Sequence, residues 1–178
     1  MAAGLVKPGD TIILDSSSTT LRMVPYLKNI ENLRVITNGV KTALELGNLG
    51  NAKVYSTGGL LRENSLSFIG EHARNCVKNF YVDTLFFSCR GLSMEKGLTD
   101  SIEEEAILRR LMLKSCRKSV LLCDHSKFNK ISFSYITDID GINAIVTDSQ
   151  PSDEWMLYLE RHGVELLYIH NEEKDMTF

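Results

Sequence analysis

Short apolar or β-branched runs recur along the chain, separated by stretches with helical periodicity. Thr11-Ile12-Ile13-Leu14, Leu33-Arg34-Val35-Ile36-Thr37, Lys53-Val54-Tyr55-Ser56 and Thr84-Leu85-Phe86-Phe87-Ser88 read as strands. Segments 119–123, 143–147 and 165–169 have the same character. Most of these runs are continuously apolar rather than alternating, as in strands covered by helices on both faces. Between them, Ser101-Ile102-Glu103-Glu104 matches a capping box and predicts a helix over 101–114. Ile107, Leu108, Leu111 and Met112 form its apolar stripe, with Arg109, Arg110 and Lys114 outside it. Pro151, Asp153, Glu154 and Gly163 bracket a helix over 152–161. Segments 39–46 and 69–79 are also helical, and Pro25 makes a helix over 19–27 start late or kink. The polar tail over 171–178 is expected to fray. Strand and helix alternate, which predicts an α/β fold: an open, mostly parallel Rossmann-like sheet with helices on both faces.

The 178 residues suit one domain, and neither an internal repeat nor a linker divides them. With 43% hydrophobic and 24% charged residues, the composition is that of a globular chain. A net charge of −3 offers no concentrated basic footprint, so the chain by itself does not read as a nucleic-acid binder. Cys76, Cys89, Cys116 and Cys123 are far apart and mostly within apolar runs. Reduced core thiols are favoured over disulfides, which predicts a cytoplasmic protein. The first ten residues lack the apolar core of a signal peptide, and no apolar stretch has the length to span a bilayer.

In an open α/β sheet, ligands bind at the carboxyl ends of the strands. The first strand is followed by Asp15 and five consecutive hydroxyls, Ser16, Ser17, Ser18, Thr19 and Thr20, leading into a helix. Hydroxyls and free amides at a helix start can cradle an anion, and five exceed the single residue that an ordinary cap requires. Thr37-Asn38-Gly39 and Thr57-Gly58-Gly59 end the next two strands. Taken singly, each reads as a turn, and their joint placement at successive strand ends is what suggests a site. Arg90 and Gly91 follow the fourth strand, and Lys127 follows the fifth; Arg90 and Lys127 are the cations best placed to meet an anion. His125 beside Cys123 and Asp124 has no further histidine at ligand spacing, so no metal is expected. Neither a Gly-x-Gly-x-x-Gly fingerprint, a P-loop nor a nucleophile elbow occurs, and no cofactor is expected.

An ordered series of these segments resembles the effector-sensing domain of DeoR-type bacterial transcription regulators. It comprises Pro8-Gly9-Asp10-Thr11-Ile12, Leu14-Asp15-Ser16 through Thr20, Val35-Ile36-Thr37-Asn38, Gly58-Gly59 and Phe68-Ile69-Gly70. It continues with Asp83, Gly91-Leu92, Gly97-Leu98-Thr99, Glu105-Ala106, Asp124-His125-Ser126-Lys127-Phe128 and Ile145-Val146-Thr147-Asp148. Two positions depart from the family pattern: Ser17 stands where glycine is usual, and Cys89-Arg90 replaces smaller residues. The resemblance implies a fold similar to ribose-5-phosphate isomerase, glucosamine-6-phosphate isomerase and CoA transferases. It also implies a sensor for a phosphorylated sugar or related metabolite, probing operator DNA through a helix-turn-helix head that precedes this region, and a homo-oligomer. On this reading the chain is an excised sensor domain occupying 1–178.

Three functions follow as alternatives. In a sensor, the segment from Asp15 to Thr20 holds the phosphate, Asn38, Gly59 and Asp100 meet the sugar, and Lys127 neutralises charge. Thr37, Gly58, Arg90, Gly91 and Glu105 complete the expected ligand-binding set. In a sugar-phosphate aldose–ketose isomerase, a positioned carboxylate must move the proton; none stands at Ser88-Cys89-Arg90-Gly91, and Glu104 or Glu105 would have to substitute. A pure oligomerisation module would leave the hydroxyl segment indifferent to ligands. The sensor, a non-enzyme, is the preferred reading.

Overall fold

A computed structural model describes residues 1–169; the tail over 171–178 lies outside the described residues. In chain order the elements are β1 (Thr11–Leu14), α1 (Ser18–Leu21), β2 (Leu33–Thr37), α2 (Val40–Leu49) and β3 (Ala52–Ser56). Next come β4 (Leu60–Arg62), β5 (Ser67–Ile69), α3 (Gly70–Lys78), β6 (Val82–Phe87), β7 (Gly91–Ser93) and β8 (Gly97–Asp100). The chain continues through α4 (Glu103–Lys114), β9 (Cys116–Leu122), β10 (Ser134–Thr137), β11 (Ala144–Thr147), α5 (Asp153–Arg161) and β12 (Glu165–Tyr168).

Seven strands form one sheet in the order β12-β11-β9-β6-β1-β2-β3, and every pairing within it is parallel. The continuous apolar runs have a direct cause here. Ile12, Phe86 and Val120 point into one buried cluster, with Met23, Val24, Leu27 and Leu46 from the covering segments. Their neighbours Ile13, Phe87 and Leu121 point into the other, with Val77, Leu108, Met112, Trp155 and Leu159 from α3, α4 and α5. Successive side chains of a strand face opposite ways, so a sheet covered on both sides must be apolar at every position.

The chain winds from β1 outward to β3, then returns to β6 on the other side of β1. This reversal opens a crevice at the carboxyl ends of β1 and β6, the usual ligand position in such sheets. Pro25 resolves as a break: α1 stops at Leu21, and a separate 3-10 turn, Val24–Leu27, carries the proline in its first turn.

Two antiparallel additions escaped the sequence pattern. β4 and β5 form a hairpin, and β10-β8-β7 form a small sheet. Their strands have three or four residues, too few to establish a period of two. The expected capping box is also corrected. α4 begins at Glu103 with Ile102 as its N-cap, and the Ile102 amide donates to Asp100 Oδ1 at 3.0 Å. The helix has no side-chain cap, and Asp100, at the end of β8, instead closes the turn that leads into it.

Gly59 and Gly91 have structural work at their positions. Gly59 has φ +116°, and a Cβ there would lie 2.6 Å from the Ile69 carbonyl oxygen, where the hairpin meets α3. A Cβ on Gly91 would lie 2.5 Å from the Lys130 carbonyl oxygen. Gly59→Ala is expected to lower unfolding free energy by about 1–3 kcal/mol, since both backbone strain and overpacking oppose it. Urea unfolding measures this, and a neutral substitution would refute the close approach.

Candidate functional site

Asp15 closes β1 at the crevice and is 1% exposed. Its Oδ1 accepts from the Ser17 amide (3.0 Å), Ser17 Oγ (2.6 Å) and Thr20 Oγ1 (2.9 Å). Its Oδ2 accepts from the Ser88 amide across the crevice (3.2 Å) and from Arg109 Nε (2.8 Å). A carboxylate this saturated shapes the hydroxyl segment from beneath. Thr20 is likewise buried and turned inward to Asp15. Ser17 caps α1 by accepting from the Thr20 amide at 3.2 Å. The amides of Ser18 and Thr19, first in that short helix, have no acceptor among the described residues.

Arg109 is the group that sequence reasoning missed. Expected on the outer face of its helix, it is 6% exposed. Nε meets Asp15, Nη1 meets Asp100 Oδ2 at 2.7 Å, and Nη2 lies 3.9 Å from Glu105 Oε2. Burial alone would lower its pKa, but the attraction of Asp15, Asp100 and Glu105 outweighs that, so the net shift is upward. The inward face of α4 runs Glu105, Leu108, Arg109, Met112, with Ala106 beside them. These positions have the i, i+3, i+4, i+7 spacing of a buried face, and an opposite-charge pair at i, i+4 lies inside it. That pair was the available signal, and the apolar stripe chosen without it was rotated away from Arg109.

Glu105 extends the network to the hairpin. Its Oε1 accepts from Ser67 Oγ in a short contact and from Ser65 Oγ at 3.5 Å. Its Oε2 accepts from Ser16 Oγ at 3.3 Å. Above this acidic floor lies a cavity of about 430 Å³.

Of the expected ligand-binding residues, the cavity brings together Ser16, Ser17, Ser18, Thr19, Arg90, Asp100, Glu105 and Lys127. Asp15, Thr20, Thr37, Asn38, Gly58, Gly59 and Gly91 are not part of its wall. Asp15 and Thr20 sit beneath the loop, and Thr37 Oγ1 accepts from the Gly39 amide at 3.0 Å. Asn38 Nδ2 donates to Ser16 Oγ and to the Phe68 carbonyl, both at 3.3 Å, while its buried Oδ1 has no partner among the described residues. Gly59 and Gly91 are held by the backbone approaches described above. Lys41 from the start of α2 and Arg62 from the hairpin also line the wall, and neither had been singled out.

Cys89 lines the cavity too, and burial pushes its thiol up to about 12, with Arg109 and Lys127 lowering it and Asp100 and Asp15 raising it. All four cysteines are free. No group of three or more His, Cys, Asp or Glu among the described residues could hold a metal ion.

The family model of the DeoR C-terminal sensor domain matches residues 1–149. The chain belongs to this family. It is 42% identical over 148 residues to an uncharacterized HTH-type transcriptional regulator, YulB, of Bacillus subtilis, covering 83% of this chain and 57% of that protein. It is 31% identical over 173 residues to the HTH-type transcriptional repressor GlcR of the same organism, covering 97% of this chain and 66% of the repressor. The chain thus spans about three fifths of the length of these regulators. Ribose 5-phosphate isomerase A from Neisseria gonorrhoeae shares the fold, with TM-score 0.51, 12% identity, and coverage of 74% of this chain and 50% of that one. The isomerase-like fold expected from the resemblance is therefore present, in a family of sensor domains of transcriptional regulators. No helix among the described residues of this sensor domain is long and apolar enough to cross a membrane.

Replacing Arg109 with Met strands Asp15 and Asp100 in the sensor domain's interior. Denaturant unfolding is expected to show a loss of about 3–5 kcal/mol, and Lys should recover only part because one ammonium cannot reproduce the forked geometry. The raised thiol pKa makes a second outcome checkable. At pH 8 Cys89 remains protonated, below its pKa, so iodoacetamide should modify it only after unfolding; peptide mapping of native and unfolded samples distinguishes the two.

Proposed function

We propose that the sensor domain binds a phosphorylated sugar, with the phosphate on the hydroxyl segment and the sugar hydroxyls over the acidic floor. Ser18 and Thr19 supply unpartnered amides and hydroxyls, and Arg90 and Lys127 supply positive charge from the ends of the two neighbouring strands. Asp100 and Glu105 accept from sugar hydroxyls at the rim of the Arg109 network, and Ser16, shared between Asn38 and Glu105, lies between the two regions. The observation that supports this reading most is that one cavity is lined both by the hydroxyl segment with Arg90 and Lys127 and by Asp100 and Glu105, which are held by the Arg109 network.

The isomerase alternative receives no comparable support. Proton transfer between adjacent carbons needs a base free to take the proton. Asp100 is engaged with Arg109 and the Ile102 amide, and Glu105 with Ser16, Ser65 and Ser67.

For signalling, the ligand must favour one arrangement of the domain over another. The hairpin is the suitable moving part, since Ser65 and Ser67 join it to Glu105 on the floor. In the whole regulator, a helix-turn-helix head preceding this domain would bind operator DNA in the cytoplasm. Symmetric operators favour a homo-oligomer. A regulator with a phosphorylated-sugar effector would control genes of sugar metabolism, as a repressor.

Thermal-shift and calorimetric titration of sugar phosphates test the reading. The effector at one hundred times its Kd should stabilise the fold by about 2.7 kcal/mol. Lys127→Ala should weaken binding about tenfold, as loss of a charge-assisted contact of about 1.5 kcal/mol requires. A folded protein that no phosphorylated sugar stabilises would remove the proposal.

A further inference from the structure

Away from the cavity, three large apolar side chains face solvent at alternate positions: Ile131 is 58% exposed, Phe133 82% and Tyr135 47%. The positions that alternate with them turn inward. Ser134 and Ile136 are buried, Ile136 in the same core cluster as Leu108 and Met112 of α4. The Ser132 amide donates to Thr99 Oγ1 of β8 at 2.8 Å. An antiparallel sheet with one solvated face ordinarily directs its apolar side chains inward and its polar ones outward. Here a serine lies inward and two aromatic rings lie outward. Rings left in water contribute no burial to the fold of a single chain.

The ridge is held in place from behind. β10 is the outer strand of the small β10-β8-β7 sheet, with Ser134 opposite Asp100 of β8. Arg110 of α4 donates to the Tyr135 carbonyl. With its backbone fixed to β8 and α4, the ridge stays on the surface. Lys130 precedes it and Asp138 follows it; both are exposed, and neither has an ion-pair partner among the described residues. Their midpoint along the chain is Ser134, between the two rings.

Resting on the homo-oligomer of the preceding reading and deepening it, we infer that a second copy of this chain docks on the ridge as a two-fold dimer. A two-fold interface brings the same patch of both subunits together, so the patch must complement itself. An axis near Ser134 sets ring against ring and points each Lys130 toward Asp138 of the partner subunit. At about 150–250 Å² per aromatic side chain, Phe133 and Tyr135 alone offer about 200–300 Å² of exposed surface. That is about a third of the roughly 800 Å² each partner contributes to a standard interface, the size of its apolar centre. The surface also adjoins the effector cavity, since β10 pairs with the strand that ends in Asp100.

Sedimentation analysis of the 178-residue chain tests this, and a monomer–dimer equilibrium in the micromolar range is expected. Phe133→Ser should weaken self-association about tenfold or more, as loss of a central aromatic contact does. Lys130→Glu sets acid against acid at both ends of the interface and should weaken it about fivefold. The exchange K130E/D138K recreates both pairs across the axis and should return association to within about threefold of the original. Tyr26→Glu, at an exposed ring on the turn after α1, should leave it unchanged. Circular dichroism and melting check that each variant folds. A dimer indifferent to Phe133→Ser and Lys130→Glu, or one that the charge exchange does not restore, overturns this surface while leaving the homo-oligomer standing. A chain that stays monomeric leaves the ridge to another occupant and removes the inference together with self-association of this domain.

Discussion

A guanidinium buried between carboxylates from separate parts of the chain organises the molecule. Arg109 reaches Asp15 at the end of β1, Asp100 at the end of β8 and Glu105 one turn back on α4. Each charge would be expensive to bury alone, and together they satisfy one another only if β1, β8 and α4 meet in this register. Asp15 then spends its remaining lone pairs on Ser17, Thr20 and the Ser88 amide, which gives the hydroxyl segment its shape and bridges the crevice to β6. The floor of the cavity is therefore rigid, and its polar lining follows from the same bonds that hold the fold.

The parallel sheet determines where this network can act. Reversal of the winding direction between β1 and β6 leaves their carboxyl ends uncovered, and the loops after β9, β6, β1 and β2 converge on one opening. The antiparallel pieces complete the enclosure: the β4–β5 hairpin supplies Arg62 and Ser65, and the small sheet supplies Asp100. A fold shared with isomerases has here become a sensor domain, and its carboxylates are tied into structural bonds that a catalytic base could not retain while moving protons.

Much of this architecture was legible because it rests on local signals. The seven parallel strands follow from uninterrupted apolar runs, and α5 from Ser152, which caps it by accepting from the Trp155 amide. The hydroxyl segment after β1 also stood out, and four of its five hydroxyl residues, Ser16 to Thr19, line the cavity. Where local signals are weak, the reading failed. The short antiparallel strands have no measurable period, and the capping box at Ser101 is not formed, since α4 starts at Glu103 without a side-chain cap.

By itself the sequence determined the α/β class, the strand and helix order, the family resemblance and the neighbourhood of the site, since each depends on residue spacing along a single segment. Only the tertiary structure decided that Arg109 is buried, that Asp15 supports the hydroxyl segment, and that Lys41, Arg62, Arg90 and Lys127 line one cavity. Those relations join residues from 9 to 94 positions apart. Charge at a helical position has no intrinsic inward or outward preference until a partner of opposite sign arrives from elsewhere in the chain.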